Sequence, residues 1–122
     1  MTNNGEFQFT ILRLEANPDG MTLAWLYRLG REVYHSSAPR MSELLSELSE
    51  YQRDDWDNIK GIYVYSGPAG FTKLRATHVS AAALGLAKNI PICGYSTWKE
   101  SMASAIPEDV GSVKAIYPEI KS

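Results

Sequence analysis

Five residues, Ser66-Gly67-Pro68-Ala69-Gly70, separate the apolar run at 61–65 (GIYVY) from a long segment of small residues, Phe71–Lys88. This strand–turn–helix junction constrains the fold more than any other part of the chain. Gly67 and Gly70 permit backbone conformations that a Cβ forbids, so N–H groups at the helix start can converge. Such a turn either cradles an anion or sets a helix at an angle for a partner. The helix it opens holds Ala76, Ser80, Ala81, Ala82, Ala83, Gly85 and Ala87, and few large residues: Phe71, Leu74, Val79, Leu84 and Leu86. Small side chains let a second helix approach closely. Asn89 ends the helix, and 90–93 is predicted to return as a strand parallel to 61–65 by a right-handed crossover. A nearly all-apolar strand such as GIYVY calls for cover on both faces of its sheet.

Upstream, the period is that of strands. Residues 7–14 start with Phe7, Phe9 and Ile11 on one side, and Asn17-Pro18-Asp19-Gly20 is a strong turn signal. Residues 21–29 then predict a second strand paired to the first as a hairpin, and 32–35 a short third strand after the turn at Gly30-Arg31. The period changes at Met41, Leu44, Leu45, Leu48 and Tyr51, which share one face of a helix. Pro39 suits its first turn, with Ser36 or Ser37 near the cap. Glu43, Glu47 and Glu50 lie on other faces, as solvated charges do. Residues 52–58 read as a polar loop around Trp56, residues 96–105 as a short helix capped by Ser96 or Thr97, and 112–117 as a last strand. The order is β-β-β-α-β-α-β, then α-β. We expect an α/β fold with a mixed sheet of about five strands and helices on its faces. This is the topology of the ribonuclease H-like fold, shared by actin-like ATPase lobes.

At 122 residues the chain suits one domain, 1–122. Its formal net charge is −2 and it shows no basic stripe, so it is not built to hold nucleic acid by itself. The single Cys93 lies in the apolar run Ile90-Pro91-Ile92-Cys93-Gly94 and reads as a buried, reduced thiol rather than a nucleophile. No apolar run reaches membrane-spanning length, and the polar start Met1-Thr2-Asn3-Asn4-Gly5-Glu6 resembles no export signal. A cytoplasmic protein without a membrane partner is expected.

Few residues suggest chemistry. No nucleophile–base pair is specified, and neither His35 nor His78 has metal-ligand spacing. His78, inside the small-residue helix, is expected to touch a partner or face solvent. Asp54, Asp55 and Asp57 crowd the loop by Trp56; a weak cation site is one reading, and a solvated loop is the expected one. Glu15, at the end of the first strand, is the best acid for a metal or phosphate site. An equally good reading has it satisfied by the neighbouring Asn17-Pro18 turn. No Lys-Ser/Thr of Walker type follows the Gly67–Gly70 turn, so that turn alone says little about phosphate.

Here the residues resemble a known family. Gly67-Pro68-Ala69-Gly70-Phe71-Thr72-Lys73-Leu74-Arg75 is similar to the GPGSFTGLR signature of TsaB (YeaZ) proteins, the non-catalytic partners of TsaD in threonylcarbamoyladenosine synthesis on tRNA. The resemblance runs through the small-residue helix into Ile90-Pro91-Ile92-Cys93-Gly94-Tyr95-Ser96-Thr97, like that family's "lPlxGvST". His35-Ser36 with Leu44-Leu45 resembles its "HS…LLP", and Ile11-Leu12-Arg13-Leu14-Glu15 stands in place of its "iLaIDT". The likeness covers roughly residues 7–105. Ala69, Gly70 and Lys73 replace the usual Gly, Ser and Gly, while Glu15 and Ala16 stand for an Asp and a Thr. The sequence spans one lobe of a two-lobed architecture, so it offers half a nucleotide cleft, and nucleotide hydrolysis is not expected.

The resemblance implies a non-enzymatic scaffold without a cofactor, acting on tRNA only indirectly through a second copy or a TsaD-type subunit. The implied surface comprises Met41, Leu44, Leu45 and Leu48 on one helix and Phe71, Leu74, His78, Val79, Ala82 and Leu86 on the other. Gly67, Pro68 and Gly70 would set the helix angle. Thr72 and Arg75 follow the signature, and read more simply as a helix-start hydrogen bond and a salt bridge. The alternative is a minimal enzyme lobe using Glu15 and the Gly67–Gly70 turn with a metal or nucleotide. A third reading is a stand-alone structural domain.

Overall fold

The computed structural model describes residues 9–67 and 71–107, with 71–74 described by backbone alone. Strands β1 (Thr10–Ala16), β2 (Thr22–Arg28) and β3 (Arg31–Ala38) come first, then α1 (Met41–Tyr51), the short α2 (Arg53–Asp57) and β4 (Ile59–Tyr65). Helix α3 (Phe71–Lys88), β5 (Ile92–Tyr95) and a 3₁₀ helix (Glu100–Ser104) follow. The sheet order is β3-β2-β1-β4-β5. β1 pairs antiparallel with β2 and parallel with β4, β2 antiparallel with β3, and β4 parallel with β5. The expected mixed five-stranded sheet is therefore present.

The two hairpins follow from their turns. Asp19 Oδ1 accepts from Met21 N at 3.1 Å, and Gly20 takes φ +97°, as the Asn-Pro-Asp-Gly signal requires. The β2–β3 turn places Leu29 at φ +54° and Gly30 at φ +82°, the primed geometry that matches strand twist. A Cβ on Gly30 would lie 3.3 Å from Ser104 Cβ.

Alternation sorts the strands onto two faces. Leu12, Leu14, Ala24, Leu26, Ile62, Val64 and Ile92 form one core with Met41, Leu44 and Leu48 of α1 and Ala81 of α3. The other face carries Ile11, Tyr27, Tyr63 and Tyr95, covered by Trp98, Met102 and Ala103. Residues 96–107 thus act as a strap where the sequence suggested a helix at 96–105. Only the single 3₁₀ turn forms, behind Lys99 rather than Ser96 or Thr97. The strap closes on Gly61, where a Cβ would sit 2.3 Å from Pro107 Cδ. GIYVY has cover on both sides, as its composition demanded.

Other differences have local causes. β3 extends to Ala38 because Ser36 and Ser37 pair with Ala24 and Leu23, so neither serine caps α1. Arg40 holds the cap position without a side-chain bond. The expected loop at 52–58 contains α2, fixed by the buried Asp55. The strand expected at 112–117 lies outside the described residues.

Leu44 is fully buried between α1 and the sheet. Leu44→Ala should cost about 2–5 kcal/mol, read as a lower midpoint in urea denaturation with an unchanged slope.

Candidate functional site

Three places were open to function: the outer surface of α1 and α3, the Gly-Pro turn with Glu15, and the aspartates near Trp56.

Helix α3 divides its residues sharply by angle. Thr77 and Ala81 are fully buried against the sheet. A Cβ on Gly85 would come within 2.4 Å of Ile92 Cδ1, so glycine there lets the helix lie on β5. Part of the small-residue content thus serves the chain's own sheet. The opposite side is exposed: Ala76, Ala83 and Ala87, with Val79 at 51% and Leu86 at 70% exposure. Two large aliphatic side chains left in water on one helix face stand out, and both lie on the side away from Thr77 and Ala81. Beside this strip, Leu45, Ser42, Ser46 and Ser49 of α1 meet Ser80, Ala83 and Leu84 of α3 across a shallow groove of about 440 Å³, with Trp56 at its end. Lys88 locks that end, donating to Trp56 O at 2.9 Å with its Nζ 5.1 Å from the indole ring.

The residues implied as a partner surface therefore separate into two sets. Met41, Leu44 and Leu48 are core residues, at 5%, 0% and 0% exposure, and cannot meet a partner. The sheet takes these three residues of the apolar stripe of α1, while Tyr51, at 70% exposure, stays in solvent. Leu45 and Ala82 are half-buried, and Val79 and Leu86 are exposed. His78 is half-buried, its Nε2 donating to Tyr65 O at 2.8 Å; it ties α3 to the end of β4 instead of facing solvent. Arg75 is exposed. The side chains of Phe71, Thr72 and Leu74 lie outside the described residues, as do Pro68 and Gly70. Gly67 takes φ +119°, a conformation that favours glycine, as expected of this turn.

Glu15 belongs to a network that its sequence neighbours did not suggest. Alternation puts Arg13 and Glu15 on the strap face of β1. Arg13 Nη2 donates to Glu15 Oε2 at 2.7 Å, Nε to Tyr95 Oη at 2.9 Å and Nη1 to Tyr27 Oη at 2.9 Å. Tyr95 Oη donates in turn to Glu15 Oε2 at 2.7 Å. The guanidinium carbon lies 3.9 Å from the Trp25 ring centre and 4.6 Å from that of Trp98. Trp98 stacks on Tyr27 at 5.3 Å and meets Tyr63 and Tyr95 edge-on. Burial works against the charge of Arg13, but its bonds to Tyr95, Glu15 and Tyr27 outweigh that and raise its affinity for the proton. Burial, reinforced by Glu15, pushes the Tyr95 phenol well above its usual range. Glu15 is thus held by Arg13 and Tyr95 rather than by the turn at Asn17-Pro18. The available signal was the pair of charges facing the same way as Ile11 on a strand, which demanded internal partners.

Asp55 is buried rather than solvated, at 7% exposure. It accepts from Arg28 Nε at 3.0 Å and Nη2 at 3.1 Å, and from Thr10 Oγ1 at 3.1 Å. No sequence pattern distinguished it from Asp54 and Asp57, which are exposed. Among the described residues no group of three or more His, Cys, Asp or Glu is placed to hold a metal ion.

Two predictions follow from these networks. Removing Arg13 leaves the part-buried Glu15 and the buried Tyr95 without their cation. Arg13→Met should lower stability by about 1–3 kcal/mol in urea denaturation, and Arg13→Met with Glu15→Gln should recover part of it. The bond from Arg28, with Thr10 adding to it, holds the Asp55 carboxyl below its usual value against the opposing effect of burial. Its contribution is complete above the ordinary carboxylate pKa of about 3.9 and fades as pH falls through the lower folded value. Thermal melts from pH 6 to pH 2 should show Asp55→Asn with a shallower acid loss than the parent.

No protein-family model matches the chain, and no curated protein matches it. Solved structures do. YeaZ from Pseudomonas aeruginosa aligns at TM-score 0.62 with 19% identity, over 72% of this chain and 43% of that one. A structure described as an uncharacterized protein with similarity to peptidase YEAZ from Pseudomonas aeruginosa aligns at TM-score 0.61 with 20% identity and the same coverage. This chain spans less than half the length of either. The likeness is one of fold: the chain has the mixed α/β, ribonuclease H-like fold of part of a YeaZ structure.

Proposed function

We propose that the chain is a non-catalytic docking subunit of TsaB type. It associates through the outer surface of α3 and the α1–α3 groove with a second copy or a TsaD-type subunit, and so supports threonylcarbamoyladenosine modification of tRNA in the cytoplasm. The observation that carries this reading is the exposed strip Ala76, Val79, Ala83 and Leu86. Its large and small residues alternate so that the strip can complement itself. In an antiparallel crossing of two α3 helices about a two-fold axis level with Ala81, Leu86 faces Ala76 and Val79 faces Ala83. Knobs then meet hollows on both sides of the axis, the isologous arrangement of a two-fold dimer. A partner helix carrying similar spacing fits the same groove. An interface of about 800 Å² per partner suffices for a specific complex.

Two features favour this reading over an enzyme lobe. Glu15 is committed to Arg13 and Tyr95. Strands β4 and β5 bring no carboxylates to the centre of the sheet.

Leu86→Arg and Val79→Arg place a charge on an exposed strip and should leave the circular dichroism and urea midpoint unchanged. Both should abolish self-association in light scattering and co-purification with a TsaD-type subunit. A parent protein that is monomeric at high concentration and captures no such subunit would overturn the proposal. In calorimetric titration, magnesium-ATP should give no binding heat; stoichiometric binding would favour the enzyme lobe.

A further inference from the structure

We draw no further inference here: the strongest candidate, the exposed apolar strip of Val79 and Leu86 on α3 with the groove it shares with α1, belongs to the site already described, and nothing in the structure shows what else covers it.

Discussion

The parallel pairing of β1 with β4 is the constraint on which the rest of the structure depends. Both strands sit inside the sheet, so each must be covered on two faces. Leu12, Leu14, Ile62 and Val64 turn one way, and Ile11, Arg13, Glu15 and Tyr63 the other. A parallel pair needs a crossover, which places α3 over one face. That leaves the second face to be closed by whatever follows β5. The strap does this with few residues, because Trp98 is wide enough to reach Tyr27, Tyr63 and Tyr95 at once.

The two faces solve burial in opposite ways. Under the helices the core is aliphatic and non-directional, and its stability comes from area and close packing. Under the strap it is aromatic and charged, with Arg13 fixing the orientation of three partners by directed hydrogen bonds. A network of this kind contributes little net stability when complete, yet is costly when one member is lost. Its effect is to specify: the strap can seat Trp98 in one place, beside the guanidinium. The same commitment occupies the only acid at the end of β1.

How far the sequence disclosed this depended on whether the deciding interaction was local. The boundaries of α3 were legible because a glycine-proline turn and Asn89 at φ +57° bracket it. The hairpins were legible from turn residues that act within four positions. The stripe on α1 was legible as a helix, but not as core: periodicity reports that a face is buried without naming what buries it. Met41, Leu44 and Leu48 therefore read as a partner surface until the sheet was seen to take them. Asp55 and Arg13 were missed for a related reason. Arg28 stands 27 positions from Asp55, and Tyr95 stands 82 from Arg13; no spacing rule reaches that far.

The division within α3 then decides where a partner can bind. The small residues first suggested one close-packed surface, but they perform two separate tasks. Gly85, Ala81 and Thr77 let α3 lie against its own sheet, as the short approach of Ile92 to Gly85 requires. Ala76, Ala83 and Ala87 face outward with Val79 and Leu86, where nothing in the chain's described residues presses on them. A helix designed only to cover a sheet would carry charges on that outer side, since solvated residues cost nothing there. The first task would leave the outer side free to be polar, so sheet packing does not account for its apolar character. The association proposed above would account for it, and the strip is narrow enough that two substituted positions test the whole of it.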